Sequence, residues 1–491
     1  MTQICVSLTE ETTARVVERM QELSGIADLF EIRGDLLLDL DLLAILRGKT
    51  QPLLFTALAV SEGGRWDDED PRRRRVLLEA VKRGYDYVDV PFRAEYMEVV
   101  VEKAGRGLVL SYHDLEGTPD DLDELYRKMC DVGADIVKIA TAPRSVAEVG
   151  RLLACAKRAK QCGGTPLIAI AMGPLGTITR VLAGRYGAPF TFASAAAGAE
   201  AAPGQIPAAL MADLYRVRDV SEATKVYGVL GASVERSLSP ILHNRAFETA
   251  GLDAVYVPLQ AEAIEPFMEA VPHFELSGFS VTRPYKVEIL PFLDEVDEDA
   301  ARCSSVNTVV VHDGVLQGST TDGIGILAPL KRRIDVKGKP VVILGAGGAA
   351  RAAALALVRK GAHVTVLARD PDKAAFVAGA VGCGFGSLDD VAGQAFDVLV
   401  NATPVGSSED PGASPVPASV HRPGTVVFDM VYDPLETQFL RDAQAAGATI
   451  IDGLEMLIAQ AVVQFEVWTG RDAPVQEMKA AALFLAQGQQ E

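Results

Sequence analysis

The sequence has few of the features that mark secreted, membrane or nucleic-acid-binding proteins. It contains six cysteines in 491 residues and no C-x-x-C pair, which argues against a disulfide framework or a zinc site. No apolar run is long enough to span a bilayer, and the strand-like start "MTQICVSLTE" does not resemble a signal peptide. A formal net charge of −19 offers no basic face to nucleic acid or anionic lipid. We therefore expect a cytoplasmic protein with reduced thiols and no metal.

The chain does have enough apolar material for several hydrophobic cores. Hydrophobic residues make up 49% of its 491 positions, and this length suggests two to four domains. It shows no internal repeat and no low-complexity tract. Any anionic small-molecule substrate must be held by local arginines and lysines. The oligomeric state stays open.

The first 200 residues alternate strand-like and helix-like stretches. Eight short apolar runs recur there: "ICVSL", "LFEIR", "LLFTA", "YVDV", "LVLSYH", "IVKIA", "LIAIAM" and "FTFA". Eight strands alternating with helices over roughly 200 to 250 residues are typical of a closed β/α barrel, whose active site lies where the strands end. We predict an α/β fold that starts with a (βα)8 TIM barrel over residues 1–215.

One of these runs, "ADIVKIATAP" (134–143), contains a lysine. Lys138 lies among the residues of a strand that is covered on both faces. Burial disfavours an ammonium group, and a neutral amine can attack a carbonyl to form a Schiff base. A structural ion pair with a buried carboxylate fits the same pattern, so the strand alone leaves both interpretations open.

A histidine favours the nucleophile. In "LVLSYHDLEGTP", His113 comes just past a strand and 25 residues before Lys138, so both side chains should reach the same mouth of the barrel. An imidazole can take and return a proton near neutral pH. The other five histidines follow no ligand spacing, and we interpret them as surface or packing residues.

Six motifs in the first half resemble those of the type I 3-dehydroquinate dehydratases. They are "EIRGD" (31–35), "EGG" (62–64), "SYHDLEGTP" (111–119), "VKIA" (137–140), "MGPLGTITR" (172–180) and "APGQI" (202–206). The resemblance implies that Lys138 forms an imine with the substrate ketone. It implies that His113, assisted by Glu62, moves a proton from the neighbouring carbon to the departing hydroxyl. The substrate-binding residues it implies are Ser7, Glu31, Arg33, Arg180 and Gln205.

The match departs from this family at two positions. Leu58 stands where the family usually has an arginine, and Ala201 stands where it usually has a serine. A lost charge-assisted hydrogen bond is worth roughly 1.5 to 3 kcal/mol, so we expect weaker substrate binding with the imine chemistry retained. Arg65, seven residues after Leu58, is a candidate to compensate.

The second half begins after a polar stretch. "MADLYRVRDVSEATK" (211–225) predicts a linker at 216–225. Further on, "KPVVILGAGGAARAAALALVRKGAHVTVLARD" reads as strand, glycine turn, helix and second strand, which indicates a dinucleotide-binding Rossmann domain over 326–451. A tight turn that needs glycine only for packing is the alternative.

Two charged residues of the second half suit proton transfer. Lys286 follows a strand in "GFSVTRPYKVEIL", and Asp322 lies in the glycine-flanked turn "STTDGIG". Brought together, they would bind a hydroxyl and pass its proton as a hydride moves. Without further context, unrelated surface charges are the default interpretation.

Seven motifs supply that context, because they resemble those of the shikimate dehydrogenases. They are "SLSPILHN" (237–244), "SVTRPYK" (280–286), "VNT" (306–308), "TDG" (321–323), "GAGGAARA" (345–352), "NATPVG" (401–406) and "DGLEMLIAQ" (452–460). The resemblance implies a substrate-binding domain at 226–325, completed by 452–491, with Lys286 and Asp322 as the catalytic pair. The substrate-binding residues it implies are Ser237, Ser239, Thr282, Asn307, Tyr432 and Gln460. The cofactor-binding residues it implies are Gly345, Ala346, Gly347, Gly348, Ala349, Thr403, Met430 and Gly453.

The residues after the second Rossmann strand indicate the cofactor. Arg369 offers a guanidinium to the 2′-phosphate of NADP, whereas an acid there would bind the ribose hydroxyls of NAD. Ala368 replaces the asparagine that is usual in the family, and Asp370 adds a negative charge. We still predict NADP.

Together the two resemblances imply consecutive reactions. The first is dehydration of 3-dehydroquinate to 3-dehydroshikimate, and the second is NADPH-dependent reduction to shikimate. A quinate/shikimate dehydrogenase fused to a catabolic dehydratase is one alternative. A non-catalytic quinate-responsive regulator is another, although retention of all four catalytic residues and the absence of a basic segment speak against it.

Overall fold

The computed structural model describes residues 1–94, 97, 101 and 107–488. The chain divides into two compact units. The first consists of Met1–Gly228, Ala232–Arg236 and Asp253–Leu276, and the second of Val229–Gly231, Ser237–Leu252 and Ser277–Glu491. These limits differ from the domain boundaries that the sequence predicts, which stay a prediction.

A parallel barrel dominates the first unit. Its strands are β1 (Gln3–Leu8), β2 (Leu29–Arg33), β3 (Leu53–Thr56), β4 (Tyr87–Pro91), β5 (Leu108–Asp114), β6 (Ile136–Thr141), β7 (Leu167–Ala171) and β8 (Phe190–Ser194). They lie in the order β7-β6-β5-β4-β3-β2-β1-β8, which leaves the barrel nearly closed. All eight predicted runs are strands, so the predicted barrel is confirmed.

Helices alternate with these strands. They are α1 (Thr13–Glu22), α2 (Leu42–Arg47), α3 (Pro71–Arg83), α4 (Leu122–Asp131), α5 (Val146–Gln161) and α6 (Thr177–Val181). The start of α3 follows from its sequence, because the Asp70 side chain accepts a hydrogen bond from the Arg72 N–H and Pro71 occupies the first turn. The first unit also contains β10 (Ala254–Gln260), α8 (Ile264–Phe274) and the start of β9 (Lys225–Gly231).

Part of the barrel interior is filled by apolar side chains. Cys5, Leu54, Val109, Ile168 and Phe190 belong to one buried cluster and are at most 1% exposed. Side chains of a strand alternate between the two sides of the sheet, so polar residues two positions further along the same strands also face inward. Polar side chains that face inward near the carboxyl ends of the strands therefore lie next to this buried apolar cluster.

The second unit contains two sheets. The strands β11 (Leu276–Val281), β13 (Thr308–His312), β14 (Val315–Ser319) and β12 (Glu295–Val296) lie in this order in one of them. The other sheet is parallel, in the order β17 (Gly384–Ser387), β16 (His363–Ala368), β15 (Pro340–Leu344), β18 (Val398–Asn401), β19 (Val426–Asp429) and β20 (Thr449–Ile451). The helices of this unit are α7 (Ser239–Thr249), α9 (Glu298–Cys303), α10 (Asp322–Lys331), α11 (Gly348–Arg359), α12 (Pro371–Val381), α13 (Gln438–Ala445), α14 (Gly453–Thr469) and α15 (Val475–Gly488).

The parallel sheet has the doubly wound arrangement that the sequence predicts. Its first strand β15 lies at the centre, between β16 and β18, and α11 follows β15 directly through the glycine turn. In open sheets of this kind, ligands bind where the strand order reverses. That point is the carboxyl end of β15. Among the described helices, none is both long and apolar enough to cross a bilayer.

Two candidate active sites

The buried lysine of the barrel has a partner. Lys138 Nζ lies 2.5 Å from Asp89 Oδ2, and the two side chains are 4% and 0% exposed. Ser111 donates a hydrogen bond to the other oxygen of Asp89, and the Phe192 ring lies 4.9 Å from Lys138 Nζ. The ion-pair interpretation of Lys138 is therefore correct as a description of the geometry. It does not exclude a nucleophile, because a paired lysine can still react once its proton is moved.

Strand register brings these residues to one face. Ser111 is the Cα partner of Lys138 in the pairing of β5 and β6, and Pro91 is the partner of Ser111 in the pairing of β4 and β5. Asp89 lies two residues before Pro91, so it shares the inward direction of Ser111 and Lys138. An acid, a hydroxyl and an amine therefore meet on three consecutive strands.

His113 lies on the same inner face, two residues after Ser111. It is inside β5, whereas the sequence placed it just past a strand. Burial lowers the pKa of His113 well below its ordinary value, and nearby Lys138, Arg33 and Arg73 lower it further. Within the described part of the chain, its Nδ1 has no hydrogen-bond partner. A neutral imidazole with a free nitrogen is suited to act as a base.

Glu62 is held at the end of a short 3₁₀ turn, Val60–Glu62. Its Oε2 accepts a hydrogen bond from the Ala59 N–H at 2.9 Å and another from Arg73 Nη2. Burial raises the pKa of Glu62, and the Ala59 N–H and the Arg73 guanidinium oppose that rise. Arg73 is thus a buried cation beside a carboxylate that the sequence assigns to the dehydratase site.

Several predicted substrate-binding residues of the barrel are joined by hydrogen bonds. Ser7 Oγ donates to Glu31 Oε2 at 2.5 Å, and Gln205 Nε2 donates to Ser7 Oγ at 3.0 Å. Arg33 forms a two-pronged pair with Asp35, at 2.9 and 2.7 Å. These hydrogen bonds hold Ser7, Glu31, Gln205 and Arg33 in fixed side-chain orientations.

Arg180 is a buried cation with an unpaired hydrogen-bond donor. It is 2% exposed, its Nη2 donates to the Pro203 carbonyl at 3.3 Å, and its Nε has no partner among the described residues. Burial lowers the pKa of Arg180 to about 10. A buried guanidinium with a free donor is costly unless an anion pairs with it.

The two departures from the family pattern have different surroundings. Leu58 is 6% exposed, and its N–H reaches Asp35 Oδ1 at 3.4 Å. The Ala201 N–H donates to Gln205 Oε1 at 2.8 Å, so this position still orients a predicted binding residue. The Arg65 side chain is 58% exposed and lies 3.3 Å from Glu11. Compensation by Arg65 stays a prediction.

The second unit brings together the two charges that the sequence singled out. Lys286 Nζ lies 2.6 Å from Asp322 Oδ2, and Asp322 is fully buried. Asn307 Nδ2 and Gln460 Nε2 both donate to the other oxygen of Asp322, at 3.0 and 2.5 Å. Gly325 allows this, because a Cβ there would lie 2.7 Å from Gln460 Cγ. Lys286 thus pairs with one oxygen of Asp322, and two amide groups hold the other.

Of the remaining predicted substrate-binding residues, Ser237, Thr282 and Tyr432 lie on loops, and Ser239 is the first residue of α7. Ser237 hydrogen-bonds to Tyr432 and lowers its pKa, although burial raises that pKa more strongly. The Ser239 N–H donates to Ser237 Oγ at 3.3 Å, and the Thr282 N–H donates to the Leu230 carbonyl at 2.8 Å. Ser237 therefore links the Tyr432 side chain to the start of α7.

The glycine turn fits a dinucleotide. Gly345 has φ +111°, a conformation that favours glycine, and a Cβ there would lie 3.0 Å from Thr403 Cγ2. Gly347 caps α11 without a side-chain hydrogen bond, and a Cβ at this position would meet open space within 4 Å. A Cβ on Gly348 would lie 3.1 Å from Lys286 Cβ. The uncapped helix amides can bind a pyrophosphate, close to Lys286.

Arg369 and Asp370 follow β16 at the rim of this site. Both side chains are exposed. The Asp370 carboxylate accepts a hydrogen bond from the Asp372 N–H at 3.1 Å and lies 3.9 Å from Lys373 Nζ. The added negative charge is thus engaged with its own helix and lysine, and no described ion pair involves Arg369.

Comparisons with known proteins match both halves of the chain. Family models match in chain order: type I 3-dehydroquinase at 4–222, the shikimate dehydrogenase substrate binding domain at 229–309, a putative NAD(P)-binding domain at 333–405 and the shikimate 5′-dehydrogenase C-terminal domain at 453–483. The bifunctional 3-dehydroquinate dehydratase/shikimate dehydrogenase of Arabidopsis thaliana is 35% identical over 477 residues, which are 91% of this chain and 78% of that protein. The chain belongs to this bifunctional family.

Other relatives of the bifunctional enzyme cover its second half. Shikimate dehydrogenase (NADP(+)) of Pyrococcus furiosus is 44% identical over 267 residues, 54% of this chain and 97% of that protein. A solved shikimate dehydrogenase in complex with NADP+ is 38% identical, with a TM-score of 0.51, and covers 54% of this chain and 96% of its own. The predictions of fold, of both activities and of an NADP-dependent dehydrogenase are therefore confirmed.

Three residues next to predicted site residues were not identified from the sequence. Asp89 and Arg73 pair with predicted catalytic residues of the barrel. Asp429 is fully buried, and burial raises its pKa to about 6. It accepts hydrogen bonds from Asn401, Thr437 and the Val431 N–H, and so supports the loop that carries Met430 and Tyr432. The signal for Asp89 was an acid in the apolar run "YVDV".

Proposed function

We propose that the barrel converts 3-dehydroquinate to 3-dehydroshikimate and that the second unit reduces this product to shikimate. The observation that carries the proposal is the proximity of Lys138 to His113 in a barrel that also contains Arg180, a buried guanidinium whose Nε has no described partner. An amine, a base and an anion-binding cation are the groups needed to dehydrate a hydroxy-ketone acid through an imine. A stand-alone sugar- or phosphate-binding barrel would not need the buried amine.

In the first reaction, Lys138 passes its proton away and attacks the substrate ketone, and water leaves as the imine forms. His113 Nδ1 or Nε2 then takes a proton from the carbon next to the imine, which gives an enamine. The protonated His113 returns that proton to the departing hydroxyl, which leaves as a second water. Hydrolysis of the conjugated imine releases the enone product and restores the amine. Asp89 supports this role because it orients Lys138 and can accept its proton.

The other barrel residues have binding roles in this proposal. Arg180 pairs with the substrate carboxylate, since its Nε is a buried donor with no described partner. The Ser7, Glu31 and Gln205 network offers acceptors and donors to the hydroxyls, and Arg33 adds a cation that Asp35 holds in place. Glu62 assists His113 by orienting its imidazole.

In the second reaction, the Lys286 ammonium gives a proton to the ketone oxygen as the ketone becomes an alcohol. Asp322 holds Lys286 through one carboxylate oxygen, and Asn307 and Gln460 orient the other. The bound nicotinamide supplies the hydride. Ser237, Ser239 and Tyr432 bind the substrate carboxylate, and Thr282 binds a ring hydroxyl next to Lys286.

The cofactor residues have separate tasks. The turn from Gly345 to Ala349 would bind the pyrophosphate, and Thr403, Met430 and Gly453 would contact the nicotinamide half of the cofactor. Arg369 binds the 2′-phosphate, which makes NADPH the preferred cofactor. We also propose that the enzyme works in the cytoplasm.

Reciprocal substitutions test the assignment. Lys138→Met should abolish dehydration of 3-dehydroquinate and leave shikimate oxidation intact, whereas Lys286→Met should lower shikimate oxidation by roughly 10²- to 10⁴-fold and leave dehydration intact. Hydrogen exchange of peptides from the barrel and from β15 reports whether each unit has folded in each variant. Loss of both activities in either variant, or of neither, would refute the residue assignment.

A further inference from the structure

Arg73 differs from its neighbours on α3. The run "PRRRR" (71–75) reads as a solvated helix face, and three of its four arginines are exposed. Arg73 is the exception, with 3% of its surface exposed. It lies on the face of α3 that also buries Leu77 and Ala80, a spacing of four and three residues that defines one side of a helix. A guanidinium on that side needs buried partners.

Three hydrogen bonds join the Arg73 side chain to the segment that carries Glu62. Its Nη2 donates to Glu62 Oε2, its Nε to the Ala57 carbonyl at 3.3 Å and its Nη1 to the Asp68 carbonyl at 3.3 Å. The carbonyl of Ala57 directly precedes Leu58, where the family usually has an arginine. In this chain, therefore, Arg73 from α3 brings a positive charge to a segment that lacks the arginine usual in the family at position 58.

The charge of Arg73 affects two groups of the proposed reaction. It lowers the pKa of Glu62 against the effect of burial, and it lowers the pKa of His113 in the same direction as burial does. Both effects favour the forms that proton abstraction requires, an ionised carboxylate and a neutral imidazole. Arg73 contacts Glu62 through one oxygen, Oε2, which also accepts the Ala59 N–H.

We propose that Arg73 is a positioning residue of the dehydratase reaction. It fixes Glu62 through Oε2 as a carboxylate, and it keeps the other oxygen free to orient His113. The inference rests on the proposed role of Glu62 as the assistant of His113. A purely structural role, in which Arg73 only closes the loop of residues 57–68, would leave the pH dependence of catalysis unchanged.

The test compares Arg73→Gln, Arg73→Lys and the control Arg74→Gln, an exposed neighbour on the same helix. We expect Arg73→Gln to lower kcat for 3-dehydroquinate about 10- to 100-fold, by analogy with outer-shell residues that orient a catalytic group. The acid limb of its kcat/KM profile should move to higher pH, because removal of a cation raises the pKa of both Glu62 and His113. Arg73→Lys keeps the charge, so it should keep the limb in place while it loses part of kcat. Arg74→Gln should behave as the wild type.

A Glu62→Gln background separates positioning from structural support. There, Arg73→Gln should have less than about a threefold further effect on kcat, because the two residues act as one unit. An equal loss in both backgrounds, or an acid limb that stays in place, would overturn the inference. Full activity of Glu62→Gln would instead refute the proposed role of Glu62 itself. Hydrogen exchange of barrel peptides in the same samples reports whether the barrel of each variant has folded.

Discussion

The ion pair between Lys138 and Asp89 allows a test of whether these residues are needed for catalysis or for stability. Both side chains are almost fully buried. Removal of one partner of a buried ion pair costs about 3–5 kcal/mol, because the other charge stays desolvated, whereas replacement of both partners by neutral groups is often close to neutral. Asp89→Asn keeps an acceptor for Ser111, so the loss comes from the ion pair. We therefore expect Asp89→Asn and Lys138→Met each to destabilise the barrel by about 3–5 kcal/mol.

The double variant should recover that loss. In Asp89→Asn/Lys138→Met both charges are absent, and the methionine can pack against the Phe192 ring. We expect its stability to lie within about 1.5 kcal/mol of the wild type, with no dehydratase activity. Such a protein would show that the pair is retained for the reaction and not for folding.

The assay must resolve the two units, since a multidomain chain does not unfold in one step. Hydrogen exchange in urea, followed by mass spectrometry of peptides from β5 and β6, reports the barrel, and a peptide from β15 provides an internal reference. The reasoning fails if either single variant is as stable as the wild type, or if the double variant is as destabilised as the single ones.

Three further predictions concern the cofactor, the substrate and pH. Arg369→Ala should raise KM for NADP roughly 10- to 100-fold and change KM for NAD little, because a charge-assisted hydrogen bond is worth about 1.5–3 kcal/mol. Initial rates measure both KM values, and equal changes for the two cofactors would contradict the assignment of Arg369 to the 2′-phosphate. Arg180→Met should raise KM for 3-dehydroquinate by a similar factor, and a KM that does not change would show that the carboxylate binds elsewhere. The pKa of His113 is lower in the folded than in the unfolded protein, so its neutral form contributes stability at neutral pH that is lost as pH falls below about 6.5. Between pH 6.5 and 5.5 the free energy of unfolding of the wild-type barrel should therefore fall by about 1 kcal/mol more than that of His113→Asn. Equal decreases in the two proteins, measured by hydrogen exchange, would show that His113 is not held neutral.

The positions of the strands could be predicted from the sequence because burial on both faces requires continuous apolar runs. Lys138 stood out for the same reason, as a charge in such a run. The sequence did not place His113 inside its strand, because a polar side chain reads as the end of a buried run. The inner face near the site tolerates polar residues, so β5 continues to Asp114.

The partners of the predicted residues were harder to identify. Asp89 stands in an apolar run like Lys138, but only the strand register shows that the two face each other. Arg73 was hidden in a run of four arginines, and the buried positions Leu77 and Ala80 on the same helix face were the available signal. The choice between ion pair and nucleophile for Lys138 needed the family motifs, since both interpretations require the same burial.

The most direct test of the central proposal is reductive trapping of the imine. The full-length protein is treated with borohydride in the presence of 3-dehydroquinate, digested and examined by mass spectrometry. The proposal predicts a stable adduct on Lys138, loss of dehydratase activity in proportion to labelling, and unchanged shikimate oxidation. An unlabelled Lys138 in an active enzyme, or an adduct on a different lysine that accounts for the inactivation, would contradict it.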